Sequence, residues 1–175
     1  NPVLVVMLVG GIGLAGLRDP AISSRDLARM LPRMVLPPLL IYGLWRYHVA
    51  TELPGSEAVF LPFSQWNVRV IPQILLQMLV VASKKGVYFA VMALAVGFAV
   101  KGLVRFRGDF DRLAIIVGGV FLGYNAFLFF IFVAQFGEFD ALRVASYWRY
   151  NMHLGLVSVA FGAYGLALLW KRTLG

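Results

Sequence analysis

Residues 113–136, LAIIVGGVFLGYNAFLFFIFVAQF, run for 24 positions without a charged side chain. As a helix this stretch measures about 36 Å at 1.5 Å per residue, enough to cross a hydrocarbon layer of about 30 Å. In lipid each backbone N–H and C=O must find a partner inside the protein, so only helices and closed barrels cross. The stretch lacks the apolar–polar alternation of a barrel strand. It predicts a transmembrane helix, and a chain built around one must supply helical neighbours.

The remaining composition agrees. The 175 residues are 61% hydrophobic and 14% charged, with a mean hydropathy of +0.81. Soluble domains carry about 25% charged residues, and one water-soluble core of this size could not hide so much apolar surface. Further apolar runs cover residues 3–17, 34–49, 87–104 and 150–170. The fold class expected is an all-α polytopic bundle of about five membrane-spanning helices in a single membrane domain, residues 1–175. Residues 3–17 are short and open without an initiator Met, which reads as the C-terminal part of a longer chain. Their Gly10, Gly11, Gly13 and Gly16 permit close helix packing.

The segment VIPQILLQMLVVAS, residues 70–83, is too short to span comfortably. It carries Gln73 and Gln77 one turn apart, so an interfacial helix is expected. Charge supports that reading. The net charge is +8, and the basic residues lie between the apolar runs. That pattern fits membrane topology and anionic head groups, and no nucleic-acid partner is expected. If residues 70–83 do not cross, one side holds Arg18, Arg25, Arg29, Arg33, Lys101, Arg105, Arg107, Arg112, Lys171 and Arg172. The other holds Arg46, Arg69, Lys84, Lys85, Arg143 and Arg149. Were they to cross, the two sides would be even. The positive-inside rule selects the ten-to-six arrangement, with the loops at 18–33 and 101–112 cytoplasmic. The 18–33 loop reads as a short surface helix capped by Ser23 or Ser24. The outer loop at about 50–69, punctuated by Pro54-Gly55 and Pro62, is expected to be irregular, with Phe60, Phe63 and Trp66 at the membrane surface.

Polar chemistry concentrates in SYWRYNMH, residues 146–153, on the outer side. On a helix running from Phe139 onward, Arg149 and His153 fall one turn apart on a shared face. Cations at that depth are costly unless paired or snorkelling, which makes them candidates for function. Arginine matches phosphate through its planar fork, and Lys84 and Lys85 add point charge from a neighbouring loop. Plain alternatives stay open: Tyr147, Trp148 and Tyr150 suit an aromatic belt, Arg143 can pair with Glu138 or Asp140, and the lysines can cap a helix. Tyr124 and Asn125, midway along the fourth run, need partners on another helix and read chiefly as structural glue.

There is no Cys, Walker A loop, HExxH or Cys/His cluster, so the motifs imply no metal and no cofactor. GGIGLAG lies inside an apolar run rather than after a strand, which disqualifies it as a dinucleotide fingerprint.

SYWRYNMHLGL, together with WRYHV, LPFSQWN and SKKGVYF, resembles the C-terminal membrane half of bacterial polytopic glycosyltransferases of the GT-C superfamily, over residues 34–170. The resemblance implies a multi-pass protein of the bacterial cytoplasmic membrane. It would move a sugar from a polyprenyl-phosphate donor to an acceptor on the outer face. It places Arg149, His153, Lys84, Lys85 and Arg69 near the lipid phosphate and Tyr147 and Trp148 beside sugar or prenyl chain, with Asn151 a further substrate-binding candidate. The catalytic carboxylate that the family carries in its first outer loop has no counterpart here, so the catalytic residue is unknown. The competing expectations are a non-catalytic scaffold for other membrane subunits and a transporter of lipid-linked substrate.

Overall fold

A computed structural model describes residues 2–53 and 60–174, with side chains described up to Lys171. Among these residues the chain is helical and holds no strand. Helices α1 (Pro2–Arg18), α2 (Ser24–Glu52), α3 (Ile71–Lys84), α4 (Gly86–Val104) and α5 (Asp109–Ala134) come first. Two short helices, α6 (Glu138–Leu142) and α7 (Tyr147–Asn151), precede α8 (Gly155–Leu174). Pro54, Gly55 and Glu57 of the expected irregular loop lie outside the described residues.

Five segments have the length and apolar composition to cross a membrane: Ser24–Glu52, Phe63–Lys84, Gly86–Val104, Asp109–Ala134 and Tyr147–Lys171. They fit a multi-pass membrane protein. The set differs from the sequence expectation at two places. Helix α1, with 17 residues, falls just short in length, whereas Phe63–Lys84 qualifies because two 3-10 turns (Phe63–Gln65 and Val68–Val70) extend it. The regular helix α3 has only 14 residues, about 21 Å long. Both ends of α3 stay on one half of α5. Asn67, just before it, bonds to the backbone of Phe132 and Val133, and Lys85, just after it, lies over Trp148, whose neighbour Tyr147 bonds to Asn125.

Helix α5 is the core around which the others pack. Asp109 and Asp111 occupy its first turn, where carboxylates complement the helix dipole. Its buried face includes Ala114, Val117, Val120, Tyr124, Leu128 and Phe132. Helix α4 crosses it at Gly118, where an added Cβ would stand 2.8 Å from Ala99 Cβ and 3.1 Å from the Ala95 carbonyl oxygen. Helix α1 approaches through Gly11, whose added Cβ would stand 3.0 Å from the Ile116 carbonyl oxygen. The small residues permit backbone contact, which in lipid must rest on packing because lipid tails are as apolar as the helices.

Contacts gather the basic loops at one end. Arg18 donates to the Val104 carbonyl at 3.3 Å, Arg112 pairs with Asp19, and Phe110 stacks on Phe161 at 5.6 Å. The end of α1, the start of α2 and the α4–α5 loop therefore share one end of the bundle, and the first turn of α5 packs on the middle of α8 through Phe110.

Two local expectations are corrected. The surface helix at 18–33 and the span at 34–49 are one helix, α2, with Pro32, Pro37 and Pro38 inside it. Proline is tolerated in membrane helices because the freed carbonyls find other partners. Ser23 is the cap: its Oγ accepts from the Asp26 N–H at 3.1 Å and donates to Asp26 Oδ2 at 2.7 Å.

The continuous helix from Phe139 is also absent. Val144 and Ser146 adopt positive φ of 42° and 63° and break the chain between α6 and α7. A 3-10 turn, Met152–Leu154, then separates α7 from α8. The break at Val144–Ser146 precedes both Arg149 and His153, and between those two a 3-10 turn replaces the regular α-helical turn that was expected.

Candidate functional site

The left-handed turn at Val144–Ser146 swings α7 against the middle of α5, so that part of SYWRYNMH points into the bundle. Asn151 is fully buried and forms a reciprocal amide pair with Asn125. Each Nδ2 donates to the other's Oδ1 at 3.2 Å. Asn125 Nδ2 also donates to the Phe121 carbonyl at 2.9 Å, and Asn151 Nδ2 to the Tyr147 carbonyl at 3.2 Å. Two tyrosines complete the set. The Tyr147 hydroxyl donates to Asn125 Oδ1 at 2.6 Å, and the Tyr88 hydroxyl donates to Asn151 Oδ1 at 3.3 Å.

A primary amide offers two donors and an oxygen with two lone pairs. Both asparagines use all of that capacity. Three helices, α4, α5 and α7, are thereby cross-linked by a neutral network with no group left over. Fully satisfied networks of this kind stabilise a single arrangement, whereas partly satisfied ones are costly in low dielectric. Asn151 therefore has no free hydrogen-bonding capacity for a substrate unless the network opens. Tyr147 is likewise buried and committed.

The other candidates face outward. Arg149 is exposed, with its guanidinium over the Tyr150 ring at 5.9 Å. Lys85 is exposed and sits over Trp148 at 5.3 Å; Trp148 in turn meets Tyr88 edge-on at 5.3 Å. Cations over aromatic faces are held by the ring quadrupole at little desolvation cost. Lys84, in the last turn of α3, and Arg69, in the second 3-10 turn, are exposed. His153 is exposed as a residue, yet its Nδ1 lies 3.2 Å from the hydroxyl of buried Tyr124, and the ring tautomer decides which of the two donates.

The structure thus brings Lys85 to Trp148 and His153 to Tyr124. Among the described residues it gives no contact between Arg149 and either lysine. Arg143 lies over Phe139 at 5.0 Å rather than in an ion pair with Glu138 or Asp140. None of Arg69, Lys84, Lys85 and Arg149 pairs with a carboxylate among the described residues. Nor do three His, Asp or Glu side chains converge there as a metal set.

Two positions escaped the sequence reading. Tyr88, which the sequence reading included in an apolar run and in SKKGVYF without a role of its own, is the fourth member of the network. Asn67, buried before α3, donates through Nδ2 to the carbonyls of Phe132 at 3.0 Å and Phe136 at 2.8 Å, satisfying the carbonyl end of α5. A lone asparagine ahead of an apolar run signals a cap of its own helix, not of a distant one. Comparison with protein-family models, with curated proteins and with solved structures found no match.

Proposed function

We propose that the chain is the membrane part of a glycosyltransferase using a polyprenyl-phosphate-linked sugar, with the lipid phosphate held at the aromatic end by Arg149, Lys84 and Lys85. The observation that carries this reading is the set of exposed cations without carboxylate partners among the described residues, mounted on α7 and at the end of α3 above a network that fixes α7. A polyprenyl phosphate leaving group gains negative charge as the sugar departs, and preorganised cations at that point lower the barrier. Trp148 offers an aromatic face to sugar or prenyl chain, and the exposed imidazole of His153 is anchored through its Nδ1. Asn151 and Tyr147 support the site from beneath rather than touching substrate. The acceptor's general base is unassigned.

The test is glycan transfer by membranes carrying matched amounts of protein. Loss of a charged hydrogen bond costs about 1.5–3 kcal/mol, or roughly ten- to a hundredfold in rate. Arg149→Ala is expected to fall in that range, and Arg149→Lys nearly as far because the bidentate fork is lost. Near-normal transfer by the lysine variant would remove Arg149 from the phosphate. A scaffold is the second reading, favoured by one observation: the buried polar groups of α4, α5 and α7 are spent on one another. It expects both Arg149 variants to keep the assembly's activity.

A further inference from the structure

At the opposite end of the bundle, α2 is longer than a hydrocarbon layer requires. Its 29 residues measure about 44 Å, against about 30 Å for the hydrocarbon and about 40–45 Å with both head-group layers. The excess is polar at the N-terminal end. Leu27 is buried, and an added Cβ on Gly16 of α1 would meet its Cδ1 at 2.8 Å; Leu31, one turn on, faces Gly13. With this side turned to α1, the i+4 series Arg25, Arg29 and Arg33 falls on an arc of about 80° on the opposite side. All three are exposed.

The carboxylates of that end are occupied. Asp26 is tied to Ser23 at 2.7 Å. Asp19 pairs with Arg112 and accepts from the Ala21 N–H at 2.9 Å. Asp109 pairs with Arg112 at 3.5 Å, and Asp111 accepts from the Arg107 N–H at 2.8 Å. Arg25, Arg29 and Arg33 have no ion-pair partner among the described residues. Below them the same helix exposes Leu36, Leu39 and Leu40, which belong in acyl chains.

We infer that residues 24–33 of α2 form a docking surface for anionic phospholipid, on which Arg25, Arg29 and Arg33 meet head-group phosphates of one leaflet. The occupant follows from charge and depth: a cationic arc stands at head-group height directly above an apolar face. The inference is independent of the phosphate site proposed at the aromatic end.

Each arginine near an anionic surface contributes roughly fivefold in association. The experiment is native mass spectrometry of the purified chain with dioleoylphosphatidylglycerol and dioleoylphosphatidylcholine in competition. The wild type is expected to retain the phosphatidylglycerol preferentially, and the preference should weaken as salt rises. The triple variant R25Q/R29Q/R33Q should lower that preference at least about fivefold, and R25K/R29K/R33K should keep it. R143Q, at the other end, should change nothing. If the triple glutamine variant fails to fold, the three single variants are read instead, each with a smaller loss of the same sign. Unchanged preference in the glutamine variants overturns the inference. So does loss in the lysine variant, or displacement of the lipid by millimolar inorganic phosphate, which would mark a site for the free anion.

Discussion

The two ends of this bundle solve the same problem with opposite chemistry. At the aromatic end, α7 is fixed by a neutral network in which Asn125 and Asn151 use all of their hydrogen-bonding capacity. At the basic end, the α1–α2 corner is fixed by charge: Asp19, 3% exposed in its side chain, pairs with Arg112, which is 40% exposed. A neutral network feels salt little and fails when one member is removed. A half-exposed ion pair is partly screened and replaceable. The difference teaches that polar residues near a membrane are read best by what they bond to, not by how polar they are.

Breaking the network should produce the largest effect. Asn151→Leu removes both asparagine donors and its acceptor, and strands Tyr88 and Asn125 in apolar surroundings. Membrane hydrogen bonds average about 0.6 kcal/mol and stranded buried groups add about 1–3 kcal/mol. A destabilisation of about 3 kcal/mol is expected in an SDS unfolding titration, unchanged by salt. Gly118→Leu comes next, at about 2 kcal/mol, because the new side chain meets Ala99 and the α4 backbone and forces the helices apart. The same titration with both variants would show whether packing or polar linkage does more to hold the neighbouring helices on α5.

Asp19→Asn tests the other end and should cost about 1–2 kcal/mol, less than a fully buried pair because Arg112 keeps water contact. Its penalty should shrink as salt rises, while that of Asn151→Leu does not; equal salt dependence would erase the contrast. The smallest effect has the opposite sign. Ser146 is exposed at φ 63°, a region that disfavours side chains with a Cβ. Ser146→Gly should therefore stabilise by about 0.5–1 kcal/mol, seen as a rise in the unfolding midpoint.

Much of this architecture was legible in the residues. The uncharged run at 113–136 announced α5, the small residues of α1 announced close crossings, and the distribution of Arg and Lys grouped the loops that share an end. Asn125 was readable as a cross-link because an amide in lipid needs a partner. That Asn151 supplies it was not readable, since the turn that delivers α7 is made by Val144 and Ser146 rather than by Gly or Pro. Local propensity gave no sign of that break. The reverse held in α2, where a surface helix at 18–33 and a separate span at 34–49 were expected, yet one helix runs through Pro32, Pro37 and Pro38. Tertiary packing overrode the local signal in both places. The outward residues were harder still: exposure and freedom from carboxylates make Arg149 and Lys85 available, and what they take up is not written in spacing.

The central claim is that SYWRYNMH is divided, with Asn151 and Tyr147 spent inside the bundle and the cations left outside. A double-mutant cycle between Asn125→Ala and Asn151→Ala tests it most directly, read as unfolding free energy in mixed micelles. If the two amides form one unit, the second substitution adds little to the first and the coupling energy is about 1 kcal/mol or more. Additivity within about 0.3–0.5 kcal/mol would mean that the amides act separately, and Asn151 would return to the pool of residues available for substrate.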